Sequence, residues 1–425
     1  MVIYVVEKGD TLWNVASRYG LDINKIIEIN ELKYPNDLVV GQTLVLPIEN
    51  FEYTVQRGDT LWNIARANNV LLRDLLIANP QIIDPGMIMV GQKINIPVGI
   101  QKLKDIEVNG YVYPNISMET LRKTLPNLTF LSIFSYDADK DGNLKLIDDE
   151  RIIAEARRAG VAPVLVVTNY DQSIPGFSSE IANSIFTKPE AKQNLFNEII
   201  TTALTKGYKG VSIDFEYLNP NDKDNFVQFL RELKEEVSRV GLQLWVNLAP
   251  KLSENQQGIL YEAHDYERIG SIADRIILMT YEWGYLYGEP QAVSPILPIT
   301  QVLDYATSVI DPQKILLGVS NYGYDWTLPW QKGTPAELLT NVGAVDLARE
   351  KGSFIEYDET AQAPYFTYQS QTNEHIAWFE DARSIYSRLK LVDKYNLRGI
   401  SYWTLNNYFP QSFLVQNALY GTIKL

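Results

Sequence analysis

Residues 210–218 read GVSIDFEYL, an apolar run that Asp214 and Glu216 interrupt. Apart from these two acids, the run has the character of a buried β-strand. Successive side chains of a strand alternate between its two faces, so Ser212, Asp214 and Glu216 are expected to share one face. The sequence therefore predicts two neighbouring carboxylates that point the same way at the carboxyl end of a strand.

The composition limits the classes of function. The 425 residues include 38 Lys and Arg against 52 Asp and Glu, a formal net charge of −14, and 2 His. This balance argues against nucleic acid and anionic membranes as partners, because both require clustered basic residues. The chain has no cysteine, which excludes disulfides, thiolate nucleophiles and thiolate metal sites. Its length predicts two or three domains.

The amino terminus reads MVIYVVEKGD, which lacks the basic and apolar regions of a signal peptide. No stretch approaches 18 uninterrupted apolar residues, so no membrane-spanning segment is expected. We therefore expect neither a secretion signal nor a membrane partner.

A repeat occupies the first hundred or so residues. YVVEKGDTLWNVASRYG at residues 4–20 returns as YTVQRGDTLWNIARANN at residues 53–69. The offset between the copies is 49 residues at the GDT motif but 50 residues from Gly41 to Gly91, so one residue is inserted late in the second copy. Each copy predicts a β-α-α-β unit, which in the first copy comprises a strand at 4–6, a helix capped by Asp10 or Thr11, a helix at 24–29 and a closing strand at 43–46.

Both copies resemble LysM modules, because GDTLWNVA and GDTLWNIA are near-complete matches to the core motif of that family, over residues 3–47 and 52–98. The resemblance implies binding of N-acetylglucosamine-containing glycans in a groove between the loop after the first strand and the loop before the last. Asp and Thr at these positions also cap helices, and capping alone is the alternative interpretation. The expected glycan-binding residues are Gly9, Asp10, Thr11, Leu12 and Asn30 in the first copy, and Gly58, Asp59, Thr60, Leu61, Asn79 and Pro80 in the second.

From about residue 100 onward, apolar runs alternate with amphipathic helical stretches, as in βα units around a parallel sheet. Eight such runs predict an α/β fold, a (β/α)8 TIM barrel. About 75 residues separate the last two runs, so a small α+β insertion is expected at about 325–375. The predicted domains are 1–48, 50–98 and 100–425. The predicted strands are Gly110–Tyr113, Phe130–Tyr136, Ala162–Thr168, Gly210–Glu216, Leu244–Ala249, Ile276–Tyr281, Ile315–Tyr322 and Gly399–Leu405.

The acids of the fourth strand lie where barrel chemistry takes place, because the active sites of such barrels form at the carboxyl ends of the strands. Burying a polar group costs roughly 2–7 kcal/mol, and a charge costs more, unless the group is paired or protonated. Two adjacent carboxylates also repel each other, so one is expected to have a raised pKa and to keep its proton near neutral pH. A carboxylic acid that stays protonated acts as a general acid.

The same strand resembles the signature of glycoside hydrolase family 18, which is D-G-x-D-x-D-x-E. Gly210, Asp214 and Glu216 match this signature, whereas Lys209 and Ser212 replace its first two aspartates. Three further stretches agree with the family, and they are MTYE at 279–282, NYGYDW at 321–326 and YWTL at 402–405. The resemblance covers most of residues 100–425.

The family resemblance implies a retaining, substrate-assisted mechanism that needs no separate protein nucleophile. In this mechanism Glu216 protonates the glycosidic oxygen, Asp214 orients the N-acetyl group that attacks C1, and Tyr281 donates a hydrogen bond to that group. Because Ser212 cannot take up the charge of the aspartate that it replaces, activity is expected to survive with a shifted pH optimum. No cofactor or metal is implied, and the expected substrate-binding residues are Trp403, Met279, Trp283 and Ser212.

Three other features have competing interpretations. Residues 137–148 begin like a calcium loop, with D-x-D-x-D-G, but they end in Asp148, and a turn after the second strand explains the motif as well. His264 and His375 lack partners at metal-ligand spacing, so a His-based zinc site is not expected. Four tryptophans fit either a core or sugar-stacking platforms, namely Trp283, Trp326, Trp330 and Trp378.

The two LysM repeats, the degenerate signature and the missing signal peptide together resemble the spore-cortex-lytic N-acetylglucosaminidases of endospore-forming bacteria. This resemblance implies a peptidoglycan hydrolase, expected as a monomer, that is laid down in the spore coat from the mother-cell cytoplasm. Its LysM modules would raise its local concentration on an insoluble polymer. Two alternatives stay open, a chitinase or chitooligosaccharide hydrolase and a non-catalytic glycan-binding coat protein.

Overall fold

The computed structural model of the chain describes residues 1–48, 50–68, 70–97, 102–370 and 373–425. No helix within these ranges is long and apolar enough to cross a membrane. The domain boundaries expected at 48–50 and 98–100 involve residues outside these ranges, so they stay predictions.

The two repeats fold as the predicted β-α-α-β units, here called the first module (residues 1–48) and the second module (residues 50–97). In each module the two strands pair in antiparallel fashion. The threonine of each GDT motif caps the first helix, because Thr11 accepts from the N–H of Asn14, and Thr60 from that of Asn63, both at 3.1 Å. The elements are β1 (Val2–Val5), α1 (Leu12–Tyr19), α2 (Ile23–Asn30), β2 (Thr43–Leu46), β3 (Asn50–Thr54), α3 (Leu61–Ala67), α4 (Leu72–Ile77) and β4 (Lys93–Pro97).

Eight parallel strands close into a barrel, as predicted, and the last strand pairs with the first. The carboxyl ends of these strands therefore form one mouth. The strands that follow β4 in the chain are β5 (Lys104–Val112), β6 (Phe130–Asp137), β7 (Ala162–Thr168), β8 (Tyr170–Asp171), β9 (Gly176–Phe177), β10 (Gly210–Asp214), β11 (Gln243–Leu248), β12 (Arg275–Leu278), β13 (Ile315–Ser320), β14 (Tyr322–Leu328), β15 (Glu337–Thr340), β16 (Glu356–Asp358), β17 (Ala363–Gln369), β18 (Glu374–Trp378), β19 (Gly399–Trp403) and β20 (Tyr420–Thr422). The barrel consists of β5, β6, β7, β10, β11, β12, β13 and β19.

Helices surround the barrel, and their apolar faces build the largest hydrophobic core together with the strands. A smaller cluster of buried apolar residues includes Phe130, Val166 and Trp245. Short 3-10 turns occur at 125–127, 220–222 and 312–314. The helices are α5 (Met118–Thr124), α6 (Glu150–Arg158), α7 (Ser179–Thr187), α8 (Pro189–Lys206), α9 (Lys223–Arg239), α10 (Tyr266–Ile272), α11 (Ile296–Val309), α12 (Asn341–Lys351), α13 (Ala382–Lys394) and α14 (Pro410–Leu419).

Four strands end two or three residues earlier at the mouth than predicted. β10 ends at Asp214, β12 at Leu278, β13 at Ser320 and β19 at Trp403. The prediction that Glu216 lies within a strand is therefore wrong, because its backbone bonds to the side chain of Asn169 instead of continuing the strand ladder. Strand alternation consequently does not set the direction of the Glu216 side chain.

An α+β lobe lies between β13 and β19, as predicted. Its five strands are antiparallel in the order β15-β14-β18-β17-β16, and the sheet spans residues 322–378, slightly more than the expected 325–375. Trp326 is buried in this lobe and donates from Nε1 to the carbonyl of Gly288 at 2.9 Å. Trp378 stacks on Tyr365 with 4.7 Å between ring centres. These two tryptophans therefore stabilise the lobe.

The first module packs against the barrel and the lobe. Gln411 of α14 accepts a hydrogen bond from Oγ1 of Thr43 at 2.8 Å and donates one to the carbonyl of the same residue at 2.8 Å. From the lobe, the N–H of Ile355 donates to the carbonyl of Val40 at 2.9 Å. The module thus shares a hydrogen-bonded interface with the rest of the chain.

Candidate active site

Asp214 ends β10 inside the mouth of the barrel, where its side chain is buried. Burial raises the pKa of Asp214 to about 7, although a hydrogen bond with the side chain of Asn247 acts in the opposite direction. Its Oδ1 atom is buried and has no hydrogen-bond partner among the described residues. This oxygen can therefore accept a hydrogen bond from a bound molecule.

A neutral network surrounds the position where the family signature has its second aspartate. Oγ of Ser212 donates to Oδ1 of Asn247 at 3.1 Å, and the hydroxyl of Tyr111 donates to the same oxygen at 2.9 Å. All three side chains are buried. Because Oδ1 accepts both bonds, the amide hydrogens of Asn247 are left for Asp214. In this structure Ser212 supports Asn247, and its expected substrate-binding role stays a prediction.

Glu216 follows β10 in a loop, and two buried side chains hold the backbone there. Asn169 accepts from the N–H of Glu216 and donates to its carbonyl, both at 2.9 Å. A ring nitrogen of His264, Nε2, lies 3.1 Å from the carbonyl oxygen of Phe215. The next residue, Tyr217, has a positive φ of 54°, which is unusual for a residue with a bulky side chain. Contacts from neighbouring strands therefore position this loop.

Three carboxyl groups meet at the mouth, those of Asp214, Glu216 and Glu282. Burial raises the pKa of Glu216 well above its usual value, and the charges of Asp214 and Glu282 raise it further. The side chain of Glu282 reaches solvent in the cleft, yet the surrounding protein atoms desolvate it and raise its pKa. Glu282 also accepts hydrogen bonds from the hydroxyls of Tyr322 and Tyr324. The raised pKa of Glu216 favours its protonated form, which can act as a proton donor.

Aromatic rings gather around Trp403 at the end of β19. Tyr281 stacks on Trp403, with 6.4 Å between ring centres and 18° between ring planes. Three more rings contact Trp403 edge-on, at 5.2 Å for Tyr111, 5.8 Å for Tyr113 and 5.0 Å for Phe134. Trp403 stays partly exposed, and such a rigid aromatic face suits the apolar face of a sugar ring.

The residues expected around Tyr281 divide into two groups. Met279 and Tyr281 follow β12, are buried, and pack in one cluster with Tyr322 and with Trp403. Trp283 is half-buried and packs against the core between the strands and the helices. The structure therefore brings Met279 and Tyr281 to the site and gives Trp283 a packing role.

The expected glycan-binding residues of the modules differ in their exposure. The carboxylates of Asp10 and Asp59 accept from backbone N–H groups of their own loops, at 2.8 and 2.7 Å. The exposed positions are Gly9, Thr11, Gly58, Thr60 and Pro80. The buried positions are Leu12, Leu61, Asn30 and Asn79.

The two asparagines have a structural role. Asn30 bonds through its amide to both backbone groups of Val45, donating at 2.9 Å and accepting at 2.8 Å. Asn79 bonds in the same way to Asn95, where it accepts from the N–H at 2.7 Å. Each asparagine therefore ties the end of the second helix to the closing strand, and the expectation that these side chains contact a ligand stays a prediction.

The loop at 137–148 is held by its own hydrogen bonds. Oδ1 of Asp139 accepts from the N–H groups of Asp141 and Asn143, both at 2.9 Å, and Asp137 accepts from Thr168. The part of the chain that the structure describes contains no group of three or more His, Cys, Asp or Glu side chains placed to hold a metal ion. A turn therefore accounts for the calcium-like motif.

Residues 112–407 match the family described as Glycosyl hydrolases family 18. The chain belongs to this family. Residues 4–47 and 53–97 match the LysM domain, so both repeats are LysM modules, as predicted. The chain is therefore a family 18 glycoside hydrolase that carries two LysM modules.

Relatives of this family 18 enzyme share its whole architecture. The chain is 42% identical to the Cortical fragment-lytic enzyme of Bacillus subtilis (strain 168), over 100% of this chain and 99% of the relative. It is 37% identical to the Cortical fragment-lytic enzyme of Bacillus anthracis, over 98% of both chains. The crystal structure of the Bacillus megaterium QM B1551 spore cortex-lytic enzyme SleL superposes with a TM-score of 0.87 at 36% identity, covering 100% of this chain and 99% of that one.

Sequence reasoning missed three buried polar residues of the family 18 site. Asn169, Asn247 and His264 come from or follow neighbouring strands and act on the segment that carries the acids. Two of them had a signal, because Asn247 interrupts the apolar run LWVNLA and Asn169 directly follows APVLVVT. A polar residue at the carboxyl end of a barrel strand is a candidate for the site.

Proposed function

We propose that this enzyme hydrolyses the glycan of spore cortex peptidoglycan and cuts the bond after N-acetylglucosamine with retention of configuration. The observation that carries the chemistry is the grouping of buried Asp214, of Glu216 with its raised pKa, and of Tyr281 beside Trp403. The names of the Bacillus relatives, cortical fragment-lytic enzymes, support the choice of substrate.

Glu216 is the proposed general acid. Its raised pKa keeps the carboxyl group protonated near neutral pH, and the proton passes to the glycosidic oxygen as the bond to C1 breaks. The clamp formed by Asn169 and His264 limits the movement of the backbone that carries this acid. After the leaving sugar departs, the Glu216 carboxylate takes a proton from the water that attacks C1, which restores the acid.

Asp214 and Tyr281 are proposed to position the acetamido group of the sugar. The unpartnered Oδ1 of Asp214 accepts the N–H of that group, and the hydroxyl of Tyr281 donates to it. The acetamido carbonyl oxygen bonds to C1 as the glycosidic bond breaks, which gives an oxazolinium ion that water opens with overall retention. A negative charge on Asp214 stabilises the positive charge of this ion.

The third carboxyl group of the mouth does not fit the role of an enzyme nucleophile. Glu282 is held by the hydroxyls of Tyr322 and Tyr324, which lower its nucleophilicity by hydrogen bonding. This arrangement favours the acetamido group of the substrate as the nucleophile. The main role assigned to Glu282 is electrostatic, because its charge raises the pKa of Glu216.

Digestion of purified cortex fragments, with products read by mass spectrometry, tests this proposal. The wild-type chain should release products with N-acetylglucosamine at the reducing end, and Glu216→Gln should release none while it still sediments with the polymer. Release of chitobiose from chitooligosaccharides without cleavage of cortex would identify the enzyme as a chitinase instead. NMR of fresh product should show the β-anomer, and an initial α-anomer would contradict retention.

The remaining expectations concern location and assembly. We infer that the enzyme acts as a monomer, without nucleic-acid or membrane partners, in the spore coat and cortex after deposition from the mother-cell cytoplasm. The net charge of −14 and the Bacillus relatives support this view. Light scattering of the purified chain tests the monomer, and coat extraction from spores followed by immunoblotting tests the location.

A further inference from the structure

The two LysM modules use the same loop in different ways. The groove loop is defined here as the loop before the closing strand, residues 31–42 in the first module and 80–92 in the second. Val39 of the first groove loop is 5% exposed and packs among lobe residues that include Ala344 and Phe366. Since VGQ at 40–42 aligns with VGQ at 90–92, the counterpart of Val39 is Met89, which is 73% exposed.

Backbone contacts hold the first groove loop against the lobe. The N–H of Ile355 donates to the carbonyl of Val40 at 2.9 Å. A Cβ atom on Gly41 would lie 1.8 Å from the carbonyl oxygen of Ile355, so the two chain segments touch directly. Only glycine therefore permits this approach.

Charged and aromatic contacts extend the interface. Nε of Arg349, from α12, donates to the carbonyl of Asp37 at 2.9 Å, and its guanidinium lies 4.2 Å from the ring centre of Tyr34. At the other end of the loop, Glu31 accepts from Lys123 at 2.9 Å and from the hydroxyl of Tyr408 at 2.8 Å. These contacts hold the first groove loop against this chain's own barrel and lobe at its beginning, middle and end.

The second groove loop has no such cover from the residues that the structure describes. Among the described residues, the hydrogen bonds and ion pairs of the second module join residues of that module alone. The loop lies beside the GDT loop, because Val55 bonds to Gly91 and Gln92 at 2.9 Å each. Its exposed apolar side chains are those of Ile83, Met87, Met89 and Val90.

We propose that the first LysM module is a docking module, fixed to the lobe by its groove loop, and that the second module alone presents its groove loop to a glycan strand. The inference rests on the proposed glycan-binding function. The apolar side chains of the second loop suit the acetamido methyl groups and apolar ring faces of N-acetylglucosamine, and flexible methionines adapt readily to such a surface. Residues 50–97 contain four Lys and Arg against four Asp and Glu, so the second module has no net charge with which to attract a glycan.

Substitution of the aligned residues Val39 and Met89 tests whether the two modules have these different roles. In the Glu216→Gln chain, Met89→Asp should raise the dissociation constant for insoluble peptidoglycan, measured by sedimentation, about tenfold or more. Val39→Asp should leave that constant within about twofold. It should also speed hydrogen exchange at the amide of Ile355, because that amide bonds to the docked loop.

A second pair of variants covers the case in which Val39→Asp fails to fold. Arg349→Ala removes a docking contact from the lobe side, and it should speed exchange at Ile355 and leave glycan binding unchanged. Met87→Asp repeats the test on the second loop, at another exposed position. The proposed roles of the two modules would be overturned if variants of both modules lost peptidoglycan binding equally, or if only Val39→Asp and Arg349→Ala lost it.

The same experiment separates this inference from the function on which it rests. If the Glu216→Gln chain itself does not sediment with peptidoglycan, the proposed targeting by LysM modules is wrong, together with the glycan-binding part of the inference. The docking part is then decided separately by exchange at Ile355. Slow exchange that Arg349→Ala accelerates supports docking, and fast exchange in the parent chain contradicts it.

Discussion

Nε2 of His264 donates a hydrogen bond to the carbonyl of Phe215, between the two acids of the site. The direction follows from Ala249, whose N–H donates to Nδ1 of the same ring at 3.0 Å, so the proton of the neutral imidazole is on Nε2. Burial lowers the pKa of His264 to about 4. A neutral histidine therefore ties the segment from Asp214 to Glu216 to the end of β11.

His264→Gln tests this relationship, because glutamine offers a donor and an acceptor but does not titrate. The pKa of His264 is about 4 in the folded chain against 6.5 unperturbed, so the unfolded state binds the proton first as pH falls. The free energy of unfolding should therefore drop between pH 6.5 and pH 4, by about 3 kcal/mol more in the wild type than in the variant. Urea unfolding at pH 7 and pH 4 measures this difference, and equal pH dependence in both chains would contradict a buried neutral histidine.

Glu216→Gln keeps the shape of the side chain but removes its acidic proton. We expect kcat on cortex fragments to fall by about a thousandfold, the scale of a lost general acid. Release of reducing ends measures the rate. Glu359→Gln, at an exposed position in the turn between β16 and β17, is the matched control and should keep full activity. A near-wild-type rate in Glu216→Gln would show that another group is the acid.

Glu282→Gln removes one of the charges that raise the pKa of Glu216. The acid then loses its proton at a lower pH, so the basic limb of the kcat/KM profile should move down by up to about one pH unit. Glu289→Gln, at an exposed position in the same loop, should leave the profile in place. A shift of the basic limb to higher pH would contradict the electrostatic role assigned to Glu282.

Asn247→Ala removes the hydrogen bond that lowers the pKa of Asp214. Because Asp214 must be ionised to stabilise the oxazolinium ion, its higher pKa should move the acidic limb of kcat/KM to higher pH. Ser401→Ala is the control, because it changes a different buried polar side chain of the barrel. The Ser401 hydroxyl accepts from Asn109, and its loss should not move the acidic limb. An acidic limb that stays fixed in Asn247→Ala would show that Asn247 does not act on Asp214.

The fold and the position of the two acids at the barrel mouth were predictable from the sequence because both depend on local patterns. Alternating apolar runs and helices predicted the barrel, and the eight strands are confirmed. Asp214 and Glu216 are two residues apart, so one short motif contains both. The GDT repeat likewise predicted both small modules, because their caps and helices are encoded within a few residues of one another.

What the sequence did not predict depends on residues far apart in the chain. Glu216 leaves the strand because Asn169, 47 residues earlier, bonds to its backbone. Trp283 follows the MTYE motif, yet its ring packs on the core rather than at the site. The motif of the second copy gave no sign that only the first groove loop is covered, because the covering residues, such as Ile355, belong to the lobe.

Gly41 and Gly91 descend from the same position of one repeat, and both have positive φ angles, 87° and 84°. Only Gly41 has another segment of the chain packed against it, whereas a Cβ on Gly91 would meet nothing within 4 Å. The position in the first module must therefore stay glycine to permit the contact with the lobe, whereas the same position in the second module is under no such steric constraint. We therefore expect the groove loop of the second module to tolerate sequence changes during evolution that the loop of the first module cannot, because the first loop is packed against the enzyme.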